Sequence, residues 1–171
     1  MMNVGEFALH FLSFLRTNDQ RKLFFSSKQY LFVDEFQDIN ELQFNIINEF
    51  YKNNVIIIGV GDDAQNIYTF RGSNVKYIID FKKIFNAEQY FLTHNFRSTH
   101  EIVAVANECI EKAHFCIPKK MIHQAGFSGE KPEVRFFFNP DDQAEFILNK
   151  IYELKKSFPL EEICILCPIN Q

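Results

Sequence analysis

Two unbroken apolar runs, Tyr30 to Val33 and Val55 to Ile58, stand out in a chain whose other apolar residues mostly recur at helical spacing. Runs of four, bounded by charge or glycine, predict strands buried on both faces of a parallel sheet. Ahead of the first run, residues 6–16 set Phe7, Phe11, Phe14 and Leu15 on one side of a helix, which polar Thr17 to Lys22 end. Between the runs, Ile39, Leu42, Ile46 and Phe50 keep helical spacing with Gln43, Ile47 and Tyr51 beside them, and Lys52-Asn53-Asn54 terminates that helix. Ser73 can cap a helix carrying Val75, Ile78, Ile79 and Lys82, and Tyr90 to Leu92 reads as a third short strand.

The second half continues the alternation. Ser98 and Glu101 have the spacing of a capping box, opening a helix that buries Ile102, Val105, Ala106, Cys109 and Ile110. Ile117 to Lys131 contains Pro118, Gly126 and Gly129 and little periodicity, which predicts a linker or surface loop. A strand over Val134 to Phe138 follows. Then come a helix over Asp141 to Lys156, with Ala144, Ile147, Leu148, Ile151 and Leu154 on one face, and a last strand over Ile163 to Leu166. Strands alternating with helices predict an α/β fold with a parallel sheet. No internal repeat or low-complexity tract interrupts the pattern.

Composition narrows the function classes. The 171 residues are 47% apolar, enough for one domain or one domain and part of a second, with 21 Phe and no Trp. A net charge of −4 supplies no global basic field, so contact with nucleic acid must come from local stacking and a few placed cations. Cys164-Ile-Leu-Cys167 has the spacing of half a zinc site, but no second pair with ligand spacing follows, so it reads as small hydrophobic residues on a buried strand. Phe7 to Leu15 is too short for a membrane span and follows Glu6 rather than a basic segment. The expectation is a reduced, soluble protein of the cytoplasm or of a nucleic-acid-containing intracellular compartment, without a membrane partner. Asn170-Gln171 follows the last strand at once, which suggests a piece of a longer protein.

Three stretches carry chemistry. In the first, Tyr30-Leu-Phe-Val-Asp-Glu-Phe-Gln-Asp38, the strand delivers Asp34 and Glu35 to its carboxyl end, where open α/β sheets place ligands. Phosphoryl transfer needs a hard oxygen ligand for magnesium and a second carboxylate to orient or deprotonate water. Adjacent acids also occur as solvated surface, as at Asp141-Asp142; the strand before and the helix after distinguish this pair. In the second, Gly59 to Gly72, two glycines allow tight geometry and Gln65 offers an amide to a phosphate oxygen. Tyr68, Phe70 and Arg71 give two aromatic faces and a cation, suited to stacking on single-stranded bases or, equally, to capping the core. In the third, Leu92 to Thr99, Arg97 precedes a helix cap from which a guanidinium can reach a γ-phosphate, and Phe96 can stack on adenine. Arg97 packed by its stem on the sheet is the plain alternative.

Together these stretches resemble the UvrD/Rep-like helicases of superfamily 1. Val33-Asp-Glu-Phe-Gln-Asp38 is similar to that family's motif II, Gly61-Asp-Asp-Ala-Gln-Asn-Ile-Tyr-Thr-Phe-Arg-Gly72 to motif III, and Asn95-Phe-Arg-Ser98 to motif IV, in the family's order. The resemblance implies Asp34 on Mg²⁺, with Glu35 beside the metal as the base for the attacking water. It implies Gln65 and Arg97 at the γ-phosphate of ATP, Phe96 beside the adenine, and Tyr68, Phe70 and Arg71 along single-stranded DNA. It further implies a RecA-like parallel sheet with flanking helices, a partial P-loop NTPase fold, over residues 1–94, and the start of a second RecA-like domain over 95–171. The implied function is ATP-driven 3′–5′ translocation on single-stranded DNA and duplex unwinding in replication or repair.

Departures from the family pattern are Phe96 for a common tyrosine, Ala64 for a frequent acid, Asn66 for a frequent serine and His94 for a frequent glutamine. None of the six glycines is followed by lysine, so these residues hold no G-x-x-x-x-G-K-[ST] phosphate loop. The expectation is a helicase fragment that is inactive alone and partners DNA and the remainder of the helicase. Its rival is a non-catalytic DNA- or partner-binding remnant. A metal-dependent hydrolase ranks last, because the five histidines are scattered.

Overall fold

The computed structural model describes residues 3–113 and 116–167. The chain divides into two compact units, Met1–Glu130 and Lys131–Gln171.

In the first unit, α1 (Val4–Thr17) begins with a capping box in which Asn3 and Glu6 satisfy each other's backbone N–H. A short α2 (Arg21–Ser26), which the polar stretch before it conceals in the sequence, brings Phe25 to the core. β1 (Tyr30–Val33) leads through a 3₁₀ turn, Phe36–Asp38, to α3 (Glu41–Lys52), itself opened by an Asn40/Gln43 capping box. β2 (Ile56–Gly59) pairs with β1 in parallel, Tyr30 opposite Ile56 and Val33 opposite Gly59. Leu15, Phe25, Phe36, Ile39, Ile47, Phe50, Val55, Ile57 and Phe85 form the core. Its rings meet edge to face, as Phe25 and Phe50 do at 5.2 Å between centroids. Glu49 is buried at the margin of this core, where Arg16 and Lys52 both bond its Oε1.

Only one face of the β1–β2 pair is covered, contrary to the expectation of burial on both faces. Leu31 and Val33 pack on the core, whereas Tyr30 is 53% and Phe32 70% exposed. Among the described residues the sheet has two strands, with helices packed on one side.

Further along, the single helix expected after Ser73 is two short ones, α4 (Lys76–Ile79) and α5 (Phe81–Phe85). Residues 90–92 form no strand; the pairing lies just beyond, between β3 (His94–Asn95) and β4 (Ile122–His123). α6 (His100–Glu111) is capped by Thr99 rather than Ser98, and Glu101 instead accepts the Gly129 N–H. Its inner face is also rotated. Val103 is buried, while Ile102, Val105 and Cys109 are exposed. Asn107 sets this orientation: its amide exchanges two hydrogen bonds with the Met121 backbone, at 3.0 and 2.9 Å.

The second unit contains α7 (Pro140–Leu154), capped by Asn139 with proline in its first turn. Phe137 meets Phe146 at 5.4 Å, and the Arg135 guanidinium lies over the same ring. Residues 134–138 and 163–166 have no ladder partners among the described residues, so the two expected strands do not form, and Cys164 and Cys167 are exposed. Asn170 and Gln171 lie outside the described residues. No described helix is long and apolar enough to cross a membrane.

Candidate nucleotide and nucleic-acid site

β1 ends by releasing its backbone into a sharp reversal. Glu35 has φ 49° and ψ 45°, a left-handed conformation uncommon for a residue with a side chain. Val33 and Phe36 on either side stay tied to β2, through Val60 N–H to Val33 carbonyl at 2.8 Å and Phe36 N–H to Val60 carbonyl at 2.9 Å. The reversal holds Asp34 and Glu35 exposed at the strand's carboxyl end while Phe36, immediately after, is wholly buried. Two close approaches make the neighbouring glycines necessary. A Cβ on Gly59 would lie 2.6 Å from Phe81, and one on Gly61 would lie 2.9 Å from the Phe36 backbone N.

Buried Gln37 then connects the two loops. Its Nε2 donates to Glu35 Oε2 at 2.7 Å, and its Oε1 accepts the Asp62 N–H at 3.0 Å. Asp62 Oδ2 accepts in turn from Gln65 Nε2 at 2.9 Å. Glu35 and Gln65 are thus joined through Gln37 and Asp62. Asn66 locks the following turn, donating to the Gln37 carbonyl at 2.5 Å and to Ser73 Oγ at 2.9 Å. Its amide, in place of the family's frequent serine, spans both partners at once.

The second acid pair is held from elsewhere in the first unit. Lys119 bonds both Asp62 and Asp63, and Asp63 Oδ2 also accepts the Ile117 N–H at 2.7 Å. Partial burial raises the Asp62 carboxyl, but its bonds from Lys119 and Gln65 outweigh this and bring it below its ordinary value. Burial likewise lowers Lys119, and the two aspartates more than reverse it.

Beyond Gln65, Tyr68 and Phe70 lie 6.2 Å apart with the Arg71 guanidinium over both rings, at 5.1 and 5.4 Å. Phe70 is 79% exposed, so these rings do not cap the core. Phe96 and Arg97 stand in a separate loop. Asn95 Oδ1 accepts the backbone N–H groups of Arg97 and Ser98, and Phe96 faces His94 at 6.4 Å. Among the described residues no hydrogen bond or ion pair joins the Arg97 side chain to Asp34, Glu35 or Gln65.

The donor set suits a hard cation better than it suits a whole nucleotide. Asp34 uses one oxygen on the Glu35 N–H, and among the described residues its other oxygen accepts no hydrogen bond. Mg²⁺ commonly takes one or two carboxylates and keeps several waters, which fits Asp34 beside Glu35. A triphosphate would find one glutamine and one arginine here but no loop of backbone amides.

Sequence reasoning missed Gln37, Asp62 and Lys119. Gln37 lies within the Val33–Asp38 motif, but a buried amide between two loops has no periodic signature. Lys119 sits 57 residues from Asp62 in a stretch read as a linker.

An acid pair at the carboxyl end of a parallel strand, linked to a glutamine-bearing turn and exposed aromatics, stands where open α/β sheets place their ligands. Comparison with known proteins makes this specific. Residues 2–86 match the UvrD/REP helicase N-terminal domain and residues 90–171 the UvrD-like helicase C-terminal domain. The chain is 33% identical over 159 residues to a probable DNA helicase II homolog of Mycoplasma capricolum, covering 92% of this chain and 22% of that protein. It is equally similar to the putative ATP-dependent DNA helicase YjcD of Bacillus subtilis, covering 92% and 21%. To the ATP-dependent DNA helicase PcrA of Leuconostoc citreum it is 35% identical over 130 residues, 75% of this chain and 17% of that one. The chain belongs to the UvrD/Rep-like helicase family. It spans about a fifth of the length of these curated relatives.

Proposed function

We propose that these residues supply part of the engine of an ATP-dependent DNA helicase. Asp34 holds Mg²⁺, Glu35 activates the attacking water, Gln65 reads the γ-phosphate and Arg97 closes on it, with Phe96 against the adenine. Tyr68, Phe70 and Arg71 form the track for single-stranded DNA. Residues 1–94 belong to a first RecA-like motor domain and 95–171 to the start of a second, whose relative motion drives 3′–5′ translocation and unwinding in replication or repair, in the cytoplasm.

The observation that carries this reading is the Glu35–Gln37–Asp62–Gln65 chain of hydrogen bonds. It couples the hydrolytic carboxylate to the loop that presents the aromatic track, which is what a motor needs if phosphate chemistry is to be felt at DNA. Without a phosphate loop among its 171 residues, the chain by itself does not turn over ATP.

Two measurements test the reading. Labelled oligo-dT titrated with the chain is expected to bind, and Phe70→Ala to weaken binding; unchanged affinity removes the track. Phosphate release with Mg²⁺-ATP and oligo-dT is expected to stay at background, and release that disappears in Glu35→Gln would overturn the claim of inactivity. Binding without turnover also fits a second reading, a DNA-binding module without an engine, which the exposed Tyr68–Phe70–Arg71 cluster favours. The discriminating result is whether Glu35→Gln alters activity once a polypeptide carrying the phosphate loop is supplied.

A further inference from the structure

Lys119 lies in the segment matched by the second family domain, yet its ammonium group sits between Asp62 and Asp63 of the first. The side chains are 16% exposed for Lys119, 34% for Asp62 and 2% for Asp63. Every partner of this cluster has a role. Asp63 is satisfied by Lys119 on one oxygen and by the Ile117 N–H on the other. Asp62 holds Lys119 and the Ala64 N–H on Oδ1 and the Gln65 amide on Oδ2.

The cation thus meets Gln65 only through Asp62. Two adjacent carboxylates repel each other when no cation lies between them. Asp63 is nearly inaccessible, so Asp62, the more exposed of the two and held otherwise by the Ala64 N–H and the Gln65 amide, is the one with room to swing away. Its departure would release the Gln65 amide. A carboxylate accepts only, so the bond to Asp62 also dictates which end of the Gln65 amide is NH₂, leaving Oε1 turned elsewhere.

We propose that Lys119 is a positioning residue for Gln65. Acting through Asp62, it makes the orientation of the glutamine depend on where the Ile117–Met121 segment sits. The functional meaning, control of a phosphate-reading glutamine by the second family domain, rests on the helicase reading; the positioning itself does not.

The test is NMR on the ¹⁵N-labelled chain, with no nucleotide or DNA in the sample. Lys119→Met is expected to move the Gln65 side-chain NH₂ signals to those of a free glutamine amide. The Asn66 NH₂ signals should stay in place, and Lys119→Arg should restore Gln65. An unmoved Gln65 pair overturns the proposal, as does an Asn66 pair that moves with it, since that would mean general loosening of the turn. If Lys119→Met does not fold, the wild-type chain gives the answer. Its Lys119 ammonium protons should exchange with water roughly tenfold more slowly than those of exposed Lys76, and equal exchange overturns the proposal. Failure of the helicase reading would appear separately, as oligo-dT affinity unchanged by Phe70→Ala.

Discussion

The loop from Val60 to Ser73 and the loop from Thr93 to Thr99 carry comparable sequence signals, yet the chain treats them differently. In the first, Asp62, Asp63, Gln65, Asn66, Thr69 and Ser73 all have side-chain hydrogen-bond partners. In the second, Asn95 organises the backbone while Phe96 and Arg97 extend into solvent. The first loop is preorganised by the protein itself. On the reading proposed above, the second presents Phe96 and Arg97 on a fixed base and leaves their final placement to a ligand. Contacts that form only in the bound complex are expected to be loose without it.

Mutations should separate the two loops most sharply at their aromatic residues. Phe36, fully buried beneath the first loop, should cost about 3–5 kcal/mol when changed to alanine, whereas Phe96→Ala should stay within about 0.5 kcal/mol. Urea unfolding of both variants checks this, and equal losses would erase the contrast.

Lys119→Met should cost about 3 kcal/mol, because it strands a buried aspartate. The pH dependence of that gap follows from the directions of the shifts. The Asp62 carboxyl is depressed, so its contribution is present above the ordinary value of 3.8 and is lost as pH falls through the folded value. Lys119 is raised, so its contribution is present below 10.5 and is lost as pH rises through the folded value. Wild type and variant should therefore differ by a constant amount across neutral pH and converge at both extremes; a gap that closes near neutrality would contradict the assignment.

Asn66→Ala should cost about 1–3 kcal/mol by leaving the Gln37 carbonyl without its donor, which a thermal melt would read. Phe70→Ala should leave the melt unchanged and weaken oligo-dT binding by about 1–3 kcal/mol. Last, Arg97→Ala should alter stability by less than about 0.5 kcal/mol; a larger loss would mean that the second loop is also locked.

What was legible in the sequence follows the same division. β1 and β2 announce themselves by unbroken apolar runs, α1, α3, α6 and α7 by helical period, and Asp34–Glu35 by its place at a strand end. Gly59 and Gly61 were readable as tight positions, and close approach by Phe81 and Phe36 explains them. Polar contacts at long separation have no period, which is why Gln37 and Lys119 escaped notice. The α6 face was misjudged for a related reason: Asn107, a polar residue, fixes the helix against Met121. Val134 to Phe138 has the composition of a strand, but a strand also needs an edge to pair with, and the described residues offer it none.

A two-stranded sheet consists entirely of margins, and here the outward side of those margins carries Tyr30, Phe32 and Ile56. Sticky strips of this kind are where molecules of one protein first adhere to each other. These uncovered strand residues thus offer other molecules a sticky edge that the phenylalanine interior does not.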